Sequence, residues 1–123
     1  SPTFNNLTVG NGTIVAKYTK IGKTVTGRIN IIAGSTTSYG NDIEVTTLPV
    51  AASSSYSSES YAVVGTAEAV NLGIDGYMGT VHFVNNDNTA FELRWQDGGY
   101  TSTFPFTEGS SDVVSLRFTY EAA

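Results

Sequence analysis

Gly79-Thr80-Val81-His82-Phe83-Val84-Asn85-Asn86-Asp87-Asn88-Thr89-Ala90-Phe91-Glu92-Leu93-Arg94-Trp95 is the stretch that decides the fold. Val81 and Phe83 alternate with Thr80 and His82; Phe91, Leu93 and Trp95 alternate with Glu92 and Arg94. A period of two marks a strand with one buried face. The Asn/Asp run between the two halves is turn chemistry. Both apolar sets reach the same core only in one register parity, because a slip of one residue sends a strand's side chains to the other face. A three-residue loop, Asn86-Asp87-Asn88, has that parity; it closes Asn85 against Thr89 and puts Asn88 in the left-handed conformation. The predicted pairs are Phe83–Phe91, Val81–Leu93, His82–Glu92 and Thr80–Arg94. A loop one residue shorter or longer would bury His82 against Phe91.

The same alternation recurs outward from this hairpin. Strands are predicted over Thr13–Thr19, Thr24–Ile32, Asp42–Leu48, Tyr61–Val70, Gly76–Val84, Thr89–Gln96 and Asp112–Tyr120. Lys20-Ile21-Gly22-Lys23 reads as a tight turn, and Pro49 stops a strand because it lacks the ladder donor. Ala33–Asn41 and the Ser-rich Ala51–Ser60 read as loops. Gly98–Glu108 reads as a loop with a short extended piece. Seventeen Thr, 13 Ser and 13 Gly, beside abundant aromatics, suit pleated surfaces and turns. No window repeats apolar residues at helical spacing; Ala62–Leu72 comes nearest, and Gly65 among β-branched neighbours argues against a helix. The expected architecture is a single all-β domain, 1–123, an antiparallel β-sandwich (jelly-roll-like) of seven to eight short strands.

Composition removes several function classes. The 123 residues fit one domain, for which about 100–150 is usual. Six Lys+Arg against eleven Asp+Glu give a net charge of −5, so no nucleic-acid partner is expected. The absence of Cys excludes disulfides, thiolate zinc sites and a cysteine nucleophile. No metal or other cofactor is expected. No run approaches the roughly 18 apolar residues of a membrane span, and Ser1–Gly10 has no signal pattern, so no membrane insertion is expected. A start at Ser1 fits a processed chain or a domain cut from a longer one.

Few constellations carry chemistry. His82 facing Glu92, with Arg94 nearby, has the parts of a general base, but no nucleophile stands beside it; cross-strand charge pairing on a solvated or subunit-facing sheet surface is the better reading, and no enzyme activity is expected. The remaining carboxylates are scattered and give no facing pair of the kind glycoside hydrolysis needs. Asn85–Asn88 is oxygen-rich but lacks the Glu of a calcium loop. Asn6-Leu7-Thr8 and Asn11-Gly12-Thr13 match the glycosylation pattern, although Asn11-Gly12 reads better as a turn. Lys17, Lys20, Lys23 and Arg28 gather positive charge in the first hairpin, where they suit an anionic sugar, an acidic patch on a neighbouring subunit, or simple edge protection. The most ligand-like run is Trp95-Gln96-Asp97-Gly98-Gly99-Tyr100, an aromatic beside amide and carboxylate groups suited to a saccharide. Alternation places Trp95 itself with the core. Tyr39, Tyr56, Tyr61 and Tyr100, in or beside loops, are candidate contacts, since Tyr offers rigid amphipathic area. The candidate ligand site is therefore Trp95, Gln96, Asp97, Tyr100, Tyr39, Tyr56 and Tyr61.

Tyr18-Thr19-Lys20-Ile21-Gly22-Lys23-Thr24-Val25-Thr26-Gly27-Arg28-Ile29 resembles a hairpin of tailed-bacteriophage fibre and appendage proteins. Leu48-Pro49-Val50-Ala51 and the closing strand Val114-Ser115-Leu116-Arg117-Phe118-Thr119-Tyr120-Glu121 resemble the same proteins in the same order. Tyr56–Tyr100 has no such counterpart, and a receptor site is expected to vary there. The resemblance implies the C-terminal knob of a longer fibre: a virion domain facing outward, homotrimeric, binding a host cell-surface saccharide or protein, with no catalytic residues to carry over. Apolar outer positions such as Val15, Ile32 and Val113 would then meet other subunits. The alternatives are a purely structural trimerisation domain of a tailspike and a monomeric carbohydrate-binding module.

Overall fold

A computed structural model describes residues 1–95, 98, 99, 103, 105–107 and 109–123. The chain forms β1 (Phe4–Thr8), β2 (Thr13–Ile21), β3 (Thr24–Ile32), β4 (Ser38–Val45), β5 (Val63–Asn71), β6 (Asp75–Phe83), β7 (Phe91–Trp95), β8 (Gly98–Gly99) and β9 (Val113–Glu121), with one turn of 3-10 helix at Ser54–Ser58. All pairings are antiparallel. The strands join in the order β1-β4-β7-β6-β5-β9-β3-β2, with the two-residue β8 added beside β7. The all-β, sandwich-like architecture is therefore present, built from one continuous sheet curled on itself.

The curl follows from which faces are apolar. In β3 Val25, Ile29 and Ile31 are buried while their neighbours are exposed or half-buried; Val114, Leu116, Phe118 and Tyr120 do the same in β9. One such face must be covered, and the opposite half of the sheet covers it. Phe91 of β7 packs on Phe118 of β9 with ring centroids 5.0 Å apart, and Phe83 of β6 meets Tyr120 at 6.1 Å. Fully burying each such ring is worth about 2–3 kcal/mol. Tyr120 also fastens the segment after β4: its hydroxyl donates to the Val50 carbonyl at 2.6 Å and accepts from the Val50 N–H at 3.2 Å. Burial raises the pKa of its phenol above the ordinary value.

The β6–β7 register is the predicted one: Phe83 opposes Phe91, Val81 opposes Leu93, His82 opposes Glu92 and Thr80 opposes Arg94. The loop is wider than expected. Its innermost bond runs from the Val84 N–H to the Ala90 carbonyl, a turn closes from Asp87 to Val84, and Asn86 rather than Asn88 has positive φ. The Asp87 carboxylate holds the other side by accepting from the Thr89 N–H and hydroxyl, both at 2.7 Å. The first hairpin turns on Gly22-Lys23, with Gly22 at φ 58°, and Asn11-Gly12 lies in a turn closed by the Gly12 N–H on the Val9 carbonyl.

Two assignments need correcting. β1 is a strand that the alternation does not reveal. β4 begins at Ser38, inside the segment read as loop, because Tyr39 and Ser38 pair with Leu7 and Thr8 of β1. β1 and β2 are the two free edges of the sheet, yet only residues 9–12 separate them in the chain. The edges therefore approach where that connection joins them. Beside the β2 edge lies a cleft of about 570 Å³, lined by Pro2, Ile14, Lys17, Arg28, Leu48 and Pro49, among others.

Candidate functional site

The predicted ligand residues do not assemble into one site. Tyr39 is 7% exposed on β4, and Trp95 is buried on the core face of β7. Tyr56 is half-buried, stacked on Phe83 at 4.4 Å, and its hydroxyl accepts from the Glu121 N–H at 3.0 Å. These three serve the fold. Tyr61 is 43% exposed, at φ 52°. Gln96, Asp97 and Tyr100 lie outside the described residues.

Tyr61 does mark a polar cluster. Its ring meets His82 edge-on at 5.4 Å, and the Arg94 guanidinium lies 4.8 Å from its centre. His82 and Glu92, expected on a solvated or subunit-facing surface, are 2% and 9% exposed. His82 Nδ1 bonds the Phe83 carbonyl at 2.8 Å, and Nε2 has no partner among the described residues. Glu92 faces Arg94, 4.0 Å away, instead of the imidazole. Sequence reading missed Glu44: the β4–β7 pairing sets it directly opposite Glu92. Its carboxylate accepts from the Asn5 side chain at 2.9 Å. Each carboxylate thus has a polar partner of its own. Among the described residues no group of three or more His, Cys, Asp or Glu is placed to hold a metal. No described helix is long and apolar enough to cross a membrane.

A second arrangement spans the outer face. Lys17 opposes Arg28, Arg28 opposes Arg117, Arg117 opposes Thr66, Thr66 opposes Thr80 and Thr80 opposes Arg94. All six side chains are exposed. The first three put like charges on adjacent strands, about 5 Å apart between Cβ atoms, an arrangement that destabilises a sheet. Arg94 has Glu92; Lys17, Arg28 and Arg117 have no ion-pair partner among the described residues. Edge protection accounts for Lys17 on β2 but not for Arg28 and Arg117, which stand on interior strands. Of the neighbouring rows, one carries the hydroxyls of Thr19, Thr26 and Thr119, and the other carries Val15, Asn30, Ser115 and Glu68. Shallow depressions flank Arg117 on both sides. Comparison with family models, curated proteins and solved structures finds no match to this chain.

Proposed function

We propose that this chain is a non-catalytic recognition module, the tip domain of a virion fibre or appendage, that attaches to a saccharide or protein of the host cell surface. The observation that carries the reading is the outer face of β2, β3, β9 and β5. It is broad and rich in hydroxyl groups, and it holds in a row three cations that have no ion-pair partner among the described residues, at a cost to the sheet. Fold stability gives no reason for that row; recognition of something outside the chain does. The test is binding of the labelled chain to a panel of intact bacterial cells and to a glycan array. Saturable binding to cells supports the reading, and absence of binding to either overturns it.

A structural role in a trimer is the second reading. Val15 and Ile32 are exposed and Val113 is half-buried, all on the outer face of adjacent strands β2, β3 and β9. A neighbouring subunit would cover that apolar patch. A single chain in solution that binds a polysaccharide would instead make this a carbohydrate-binding module.

A further inference from the structure

We infer that the row Lys17–Arg28–Arg117 is the binding site for a linear acidic polysaccharide, laid across the strands with its negative groups on successive cations. This rests on the recognition reading and names its ligand class. The three cations belong to strands β2, β3 and β9, so their spacing is set by the sheet, roughly 5 Å per step. A ligand that meets all three must carry its own charges in a line. The described residues offer no such partner. Glu44 and Glu92, a facing pair of acids, are engaged by Asn5 and Arg94. The exposed carboxylates Asp42, Glu59 and Asp75 and the half-buried Asp87 stand singly on separate segments, and Glu121, exposed four residues beyond Arg117 on β9, forms no ion pair with it. Glu68, diagonal to Arg117 across the β5–β9 pairing, is the nearest acid on the neighbouring row and forms no ion pair with it. The hydroxyls of Thr26 and Thr119, 3.2 Å apart, lie one row from the cations and suit sugar hydroxyls. A nucleic acid is the poorer candidate, since three cations in a chain of net charge −5 supply little counterion release against general repulsion.

The test uses the full chain, with polygalacturonate as the acidic polymer, a neutral galactan as its uncharged control and a single-stranded oligonucleotide as a second polyanion. Polygalacturonate is expected to bind, more weakly as NaCl rises from about 50 to 200 mM, and the galactan not to bind. The double variant Arg28→Gln/Arg117→Gln is expected to lose at least tenfold in affinity. Its Tm should equal or exceed the parent's, because the like-charge pairing is relieved. Lys20→Gln/Lys23→Gln, which removes the same charge from the hairpin tip, is expected to keep most of the affinity. Failure of polygalacturonate to bind, equal loss in both double variants, or oligonucleotide binding at least as tight would overturn the inference. Host-cell binding that survives Arg28→Gln/Arg117→Gln would also overturn it while leaving the recognition reading in place. Polysaccharide binding without any cell binding would overturn that reading and leave the site.

Discussion

Asp112 is a buried carboxylate that holds two turns at once. One oxygen accepts from the Leu72 N–H at 2.8 Å in the β5–β6 hairpin, and the other accepts from the Gly109 N–H at 2.7 Å ahead of β9. Hydrogen bonds to a charged acceptor are strong, and removing one partner strands the other. Asp112→Ala is expected to lower stability by about 2–3 kcal/mol, read as a fall in the urea midpoint with little change in slope. Tyr120 gives a test on the alkaline side. Its phenol titrates higher in the folded chain than in the unfolded one. Below about pH 10 both states hold the proton and stability does not depend on it. Above that the unfolded chain ionises first, so stability falls as pH rises toward the folded value. Tyr120→Phe should flatten that alkaline decline while lowering stability at neutral pH through loss of the two Val50 bonds; denaturation at pH 8 and pH 11 checks both. Neither role was legible in the sequence. Asp112 looked like one of many scattered acids, and which turns it joins depends on β9 lying beside β5.

At the level of elements, the β6–β7 hairpin was legible because its parity is forced: only one register puts Phe83, Phe91 and Leu93 on the core face and His82 on the other. The loop between them was not, since Asn tolerates positive φ at either candidate position and the choice fell to Asn86. β1 was hidden for a related reason. Asn5 and Asn6 are poor strand residues, and the irregularity between Asn5 and Leu7, with Asn6 at φ 60°, breaks the period that would link Phe4 to Leu7. Glycines report how closely strands approach. A Cβ on Gly65 would collide with the Arg117 carbonyl, whereas one on Gly76 would meet nothing within 4 Å, and neither residue has positive φ. Gly65→Ala is expected to leave the chain insoluble or to lower Tm by more than 10 °C, roughly 2 kcal/mol or more for a domain this size. Gly76→Ala should shift Tm by no more than a few degrees. Parallel thermal melts decide it.

For the whole molecule, charge distribution follows from strand order. Sequence reading gathered Lys17 and Arg28 in one hairpin but could not add Arg117, which comes from the other end of the chain and joins β3 only because β9 inserts between β3 and β5. The same order places Glu44 against Glu92 in the other half of the sheet. All-β class was plain from alternation and turns; the candidate site was not, because rows across a sheet exist only once its order is known. The tyrosines fared worse: two of the three described belong to the interior or pack on it, as large aromatics commonly do. Native mass is the first measurement at this scale. Light scattering near three chains is expected, with Ile32→Asp reducing it toward one; a single-chain mass in the parent would remove the trimer and favour a carbohydrate-binding module.

The insertion of β9 has a consequence for synthesis. The strand of this sheet that comes last in the chain sits in its middle, so β3 and β5, both made well before, wait as unpaired edges with Ile29, Ile31, Ala67 and Ala69 uncovered. Hairpins such as β2–β3 can close early, but the two halves become one body only after Val113–Glu121 leaves the ribosome. The sheet therefore closes only once β9 is available, and a nascent chain stalled before β9 is the form most open to aggregation and proteases.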